Sequence, residues 1–186
     1  MERAVSDRNI LDDFCIRFCA IVDRHVRYII VSGFLVISAG RRRSTEDIDL
    51  IIERLDRKSF ATLHNDLVRN GFVCMQSEKA ETIYDDHLAA GMSVRYTDKE
   101  RDNPEMEVKF AKDELDRLQL KNRTKIPLTG LDVWFGSIEM NIAFKEEYLK
   151  SDKDLEDAQH LRVVFGGQID EKKINQFKGL IRSMRL

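Results

Sequence analysis

The sequence predicts a mixed α/β (α+β) fold, with a mixed sheet flanked by helices and a helical subdomain after it. Three observations predict this. The apolar, β-branched run Tyr28-Ile29-Ile30-Val31 leads directly into Ser32-Gly33 and a short helical stretch. Asp47-Ile48-Asp49 opens a second strand that continues through Leu50, Ile51 and Ile52. Near Leu131 a strand-rich part gives way to helical periodicity alone, which divides the chain into 1–130 and 131–186.

Taken in order, residues 7–25 read as an amphipathic helix with Ile10, Phe14, Phe18 and Ile21 or Val22 inward. Tyr28–Val31 is a buried strand, and Phe34 to Ala39 a helix ended by Gly40. Arg41-Arg42-Arg43-Ser44-Thr45 leads into the acidic strand. Lys58 to Asn70 is a second long helix, ended by Gly71. Phe72–Met75 and Met92–Tyr96 are short strands, and Ala80–Ala90 between them is a helix or a loop exposing His87. Lys99–Asn103 is a polar turn, so the strand through Tyr96 and the one through Glu107 form an antiparallel pair. Glu105, next to Pro104, falls at the start of that strand. Ser137 caps a helix running through Ile138, Ile142, Ala143 and Leu149. Ser151-Asp152-Lys153-Asp154 starts another, with Leu155, Ala158, Leu161 and Phe165 as its apolar stripe. After Gly166-Gly167, Asp170 caps a last helix over Lys172–Arg185, with Ile174, Phe177 and Ile181 in step.

Composition limits the function. The chain has 186 residues, 42% hydrophobic and 34% charged, with net charge −2. Such a chain forms one domain with a helical extension, and it has no global basic field for a nucleic-acid template. No apolar run approaches the ~20 residues of a membrane span, and no signal peptide is visible, so a cytoplasmic protein is expected. Cys15, Cys19 and Cys74 are odd in number and lie in apolar surroundings, as reduced core thiols do. His25, His64, His87 and His160 are not at metal-ligand spacing and are read as structural or surface residues. Trp134, beside Phe135, anchors the junction between the two parts.

The chemistry centres on Asp47 and Asp49. Side chains two apart on a strand share a face, so two carboxylates stand a few ångströms apart. That repulsion is relieved by a divalent cation between them. Upstream, Ser32-Gly33 lets the backbone approach a ligand closely, and the helix start offers free N–H groups to phosphate. Downstream, Glu105, Glu107 and Lys109 share one face of a strand, opposite Met106, Val108 and Phe110. Glu107, flanked by apolar residues on both sides, is favoured over Glu105 as a third acid.

The stretch from Val31-Ser32-Gly33 to Arg43-Ser44-Thr45-Glu46-Asp47-Ile48-Asp49-Leu50 resembles the signature of the polymerase-β-like nucleotidyltransferase superfamily. It looks closest to the small prokaryotic branch related to abortive-infection (AbiEii-type) toxins. The turn here is Ser-Gly where the pattern has Gly-Ser or Gly-Gly. Ile142-Ala143-Phe144-Lys145, Lys150, Lys153-Asp154 and Asp157 are similar to the family's later Lys and Arg-x-x-Lys-Asp-x-x-Asp element, with Lys150 where Arg is commoner.

The resemblance implies a nucleotidyltransferase core over 1–130. It implies transfer of a nucleoside monophosphate from an NTP to a hydroxyl of a protein, tRNA or small molecule, with pyrophosphate leaving. Asp47, Asp49 and Glu107 would hold two Mg²⁺ ions (or Mn²⁺). Ser32, Gly33, Arg43, Thr45 and Lys145 would bind the nucleotide, and Lys145→Ala would leave stability almost unchanged. Asp154 would order the helix or orient substrate. The weak basic character ranks a locally docking macromolecular acceptor above a small molecule, and a cognate partner protein fits this branch. The alternative is a non-catalytic nucleotidyltransferase fold serving as a regulatory, antitoxin-like binding module.

Overall fold

The computed structural model describes residues 9–41 and 47–185. Along the chain run α1 (Ile10–Val22), β1 (Tyr28–Val31), α2 (Gly33–Ser38), β2 (Asp47–Ile52), α3 (Arg57–Arg69) and β3 (Phe72–Cys74). They are followed by α4 (Ala80–Ile83), β4 (Val94–Asp98), β5 (Arg101–Phe110) and α5 (Glu114–Lys121). The chain closes with α6 (Ile138–Phe144), α7 (Asp152–Phe165) and α8 (Glu171–Arg185). The strands form one mixed sheet in the order β1-β2-β5-β4-β3. Within it β2 and β5 pair in parallel, and β1-β2, β5-β4 and β4-β3 are antiparallel.

Helix starts follow the local chemistry. Asn9 and Asp12 form a reciprocal capping box on α1. Asp56, Asp113, Ser137 and Ser151 accept from the backbone N–H three residues on, capping α3, α5, α6 and α7. Asp170 does the same for the N–H groups of Lys172 and Lys173. Gly71, at φ 87°, supplies the left-handed residue after α3.

Sequence and structure part in several places. Ile10 is 61% exposed: it is the first residue of α1, whose buried face comprises Phe14, Phe18, Ile21 and Val22. Leu155, in the first turn of α7, is likewise exposed, while Ala158, Leu161 and Phe165 are buried. Helix α5 was not anticipated, because eight residues with two buried leucines give little periodicity to read. The segment after α4 is one π turn, Tyr84–Leu88, and α6 also widens into a π turn, Lys145–Leu149. The second ends at Lys150, held at φ 57°. The β4–β5 turn is tighter than expected: β5 begins at Arg101, so Glu105 lies in mid-strand rather than at its start.

Period-2 alternation gives the sheet two unlike faces. Ile48, Leu50 and Ile52 of β2 and Met106, Val108 and Phe110 of β5 join a large core under α1 and α3, with Phe14, Phe18, Phe60 and Leu63. Phe18 stacks edge-on to Phe72, ring centres 5.0 Å apart, which ties α1 to the far edge of the sheet. The opposite face carries Asp47, Asp49, Glu105, Glu107 and Lys109, with a small cluster of Ile29, Ile51, Ala111 and Leu120 at its covered end. The chain returns to β1 at Trp134–Gly136: Ile30 donates to Trp134 and accepts from Gly136. This docks the start of α6 beside the Ser32 turn, and the large core continues through Met140, Ile142, Leu161, Phe165, Ile174 and Ile181.

Candidate active site

The parallel register places Asp47 beside Glu105 and Asp49 beside Glu107. Four carboxylates thus occupy two adjacent rows of one sheet face. In the next strand Arg95 stands opposite Glu107; its guanidinium lies 3.4 Å from Glu105 and 3.5 Å from Glu107. Arg95 is the cation that answers these acids on the β4 side. The sequence reading did not single it out, because its partners depend on the β4–β5 register.

Asp49 is half-buried, as Glu105 and Glu107 are, while Asp47 is exposed. Burial pushes the Asp49 carboxyl above the ordinary range, and the charges of Glu107 and Asp47 push it the same way. Lys109 and a hydrogen bond from the Ser32 hydroxyl pull against them. Ser32 therefore has a partner that the sequence did not disclose. It also adopts φ 66°, ψ −133°, close to a region that glycine alone enters freely. Serine occupies the strained first position of the turn, while Gly33 sits buried at the start of α2. Arg43 and Thr45, both expected at the nucleotide, lie outside the described residues.

Lys145 departs furthest from expectation. It is not a solvent-facing lysine: it is 1% exposed. Its Nζ donates to Asp157 Oδ2 at 2.8 Å and to Asp154 Oδ1 at 3.3 Å. Asp157, 0% exposed, also receives the Arg41 guanidinium, which reaches from the end of α2 to Glu156 as well. Burial alone would raise Asp154, but the Ser151 hydroxyl and Lys145 outweigh it and hold its carboxyl below the ordinary range. The sequence pattern marks Asp154 and Asp157, whereas Arg41 stands in it only as part of the arginine run that leads into the acidic strand. The Lys150 amine lies 3.6 Å from Glu147 on the surface.

Between this face of the sheet and the C-terminal helices lies a cavity of about 370 Å³. Ser32, Asp49 and Lys109 line it from the sheet side, and Lys145, Phe144 and Tyr148 from the helices. Lys109 and Lys112, both on its wall, form no ion pair among the described residues, although the charge of Lys109 acts on Asp49. Among the described residues no three acidic, histidine or cysteine side chains converge at metal-ligating distance, and Glu107 is turned to Arg95. No helix among them is long and apolar enough to cross a membrane.

No protein family matches the chain, and no curated protein matches it in sequence. Its fold is nonetheless known. The crystal structure of ANT(2'')-Ia in complex with adenylyl-2''-tobramycin superposes with TM-score 0.57 at 14% identity, over 96% of this chain and 100% of that one. The solution structure of the same antibiotic-resistance factor gives 0.53 at 16% identity, over 93% and 91%. A nucleotidyltransferase-like antigenic protein from Paracoccidioides brasiliensis gives 0.54 at 18% identity, over 91% and 87%. The chain therefore has a nucleotidyltransferase fold, a mixed five-stranded sheet flanked by helices.

Two outcomes follow from this geometry. Ser32→Ala keeps the strained Cβ and loses the hydroxyl, whereas Ser32→Gly removes the strain as well, so urea unfolding will find the glycine variant more stable than the alanine variant by about 1 kcal/mol. Equal stability would mean that φ 66° costs nothing here. Lys145→Ala leaves buried Asp157 short of a cation and will destabilise the protein by about 3 kcal/mol in the same measurement. An unchanged midpoint would return Lys145 to the tolerant site that the sequence suggested.

Proposed function

We propose that this protein is a nucleotidyltransferase that moves a nucleoside monophosphate from an NTP to an acceptor hydroxyl. One observation carries the reading: Asp49 and Glu107 stand side by side on parallel strands, next to Asp47 and the Ser32 turn, and Asp49 and Ser32 line a cavity whose wall also carries Lys109 and Lys112. The shared fold supports it.

The donor set suits a divalent ion such as Mg²⁺. It consists of hard carboxylate oxygens on one sheet face, where burial first and then the charges of Glu107 and Asp47 disfavour the ionised form of Asp49 that a cation would favour. Asp47, Asp49 and Glu107 would hold the metal. When bound, it would neutralise triphosphate charge and acidify the acceptor hydroxyl. The chain's own groups do the rest. Lys109 and Lys112 attract the triphosphate, and the Ser32 hydroxyl keeps Asp49 oriented. Glu107, freed from Arg95, accepts the acceptor's proton. The acceptor oxygen then bonds to the α-phosphorus as the bond to the bridging oxygen breaks, and pyrophosphate leaves with that electron pair. Positioning and charge stabilisation supply most of the rate. Lys145 acts from within its ion-pair network, setting the helix that carries Phe144 and Tyr148.

For the acceptor, the similar structure solved with adenylyl-2''-tobramycin favours a small amine-bearing molecule over the macromolecule that composition suggested. The acidic rows of Asp47, Asp49, Glu105 and Glu107 would attract its ammonium groups.

The test incubates the protein with each labelled NTP and Mg²⁺, with a panel of amine-bearing sugars and with cell extract separated into protein, RNA and small-molecule fractions. Label in the small-molecule fraction is expected; label confined to protein or RNA would overturn the acceptor class, and none anywhere the transferase reading. Two sets of variants locate the chemistry. Asp49→Asn will melt no lower than wild type without metal, since it relieves repulsion, yet will lose Mg²⁺-dependent NTP binding. Glu107→Gln will cut turnover about 100-fold with NTP affinity nearly kept, while Glu105→Gln will change it by about twofold at most. Equal losses would reassign the third acid.

A further inference from the structure

One wall of the cavity is built by a residue with no part in the reading so far. Arg185, near the end of α8, has a side chain only 10% exposed. Its Nε donates to Asp113 at 2.9 Å, and its Nη2 donates to Asp113 at 3.0 Å and Asp116 at 2.7 Å. Its Cζ lies 5.0 Å from the centre of the Phe144 ring and 5.8 Å from that of Tyr148. The two rings meet edge to face, 6.2 Å apart at 87°. All three residues line the cavity that Ser32, Asp49 and Lys109 also line. Tyr148 is 38% exposed, so an amphipathic ring is left open to that space.

We propose that Arg185, Phe144 and Tyr148 form the seat of the nucleobase of the bound NTP. The proposal rests on the transferase reading and adds where the base goes and what holds it. Charge decides against phosphate at this wall. Two carboxylates already answer the guanidinium, so its pull on an anion is largely cancelled, whereas Lys109 and Lys112 form no ion pair among the described residues. What Arg185 still offers is shape. Three hydrogen bonds pin a flat guanidinium beside two aromatic rings, and such a surface suits a flat heterocycle. Its Nη1 donates to no described residue and is available to a ring nitrogen or carbonyl of a base. A latch between α8 and α5 would need only the contacts to Asp113 and Asp116. It would not need partly open aromatic rings on the cavity side.

Titration calorimetry with Mg²⁺ tests this, using the four NTPs and inorganic tripolyphosphate as probes of wild type, Arg185→Lys and Tyr148→Ala. Lysine keeps a positive charge for Asp113 and Asp116, so it would rescue a latch but not a planar seat. Tyr148→Ala removes a partly exposed ring and tests the seat without touching the latch. Both variants are expected to bind the preferred NTP about 10-fold more weakly. Tripolyphosphate affinity should stay within about twofold of wild type, because the lysines are untouched. Unchanged NTP affinity in either variant, or parallel loss of tripolyphosphate, overturns the seat. A wild-type protein that binds tripolyphosphate as tightly as any NTP overturns the seat alone. One that binds neither overturns the transferase reading and the seat with it.

Discussion

The structure depends on the parallel register between β2 and β5. Because side chains alternate, one choice of register does two things at once. It puts Ile48, Leu50, Ile52, Met106, Val108 and Phe110 together in the core, and it aligns Asp49 with Glu107 and Asp47 with Glu105 on the opposite face. A slip of one residue would bury carboxylates and expose the core residues. Hydrophobic burial, which drives the sheet together, thereby also enforces the approach of like charges that water would otherwise keep apart.

A second constraint joins the acidic face to the helices. Buried Asp157 is held between Lys145 of the π turn and Arg41 at the end of α2. Such ion pairs add little net stability over apolar packing, because desolvation offsets attraction. They do fix geometry, since each charge has partners only in one arrangement. Here they fix α7 against both the end of α2 and the helix that lines the cavity. The docking of Trp134–Gly136 along β1 adds backbone hydrogen bonds to the same junction.

Several features oppose stability and lie together. Ser32 is held at positive φ, Asp49 is half-buried beside acidic neighbours, and Lys109 and Lys112 lack ion-pair partners among the described residues. Local rules are broken most often where a protein must meet a ligand, and this clustering on one cavity is a physical reason to place function there. By contrast, His64 is buried against Tyr96 and the carbonyl of Glu78, and Cys15, Cys19 and Cys74 are buried thiols; none of them lines this cavity.

The sequence by itself determined the strands β1 and β2, the turn between β1 and α2, the caps at Ser137, Ser151 and Asp170, and the acidic positions, because these depend on periodicity and on groups within a few residues of each other. The resemblance rested on those same local patterns. Tertiary structure decided the rest. That Glu105 lies in mid-strand beside Asp47 follows from where the β4–β5 turn closes. That Arg95 faces Glu107, that Arg41 reaches Asp157 across 116 positions, and that Arg185 meets Asp113 across 72 are pairings between distant segments. Lys145 shows the reason most plainly. The resemblance assigns it to the nucleotide, because the sequence records its charge but not the two carboxylates that a neighbouring helix folds over it.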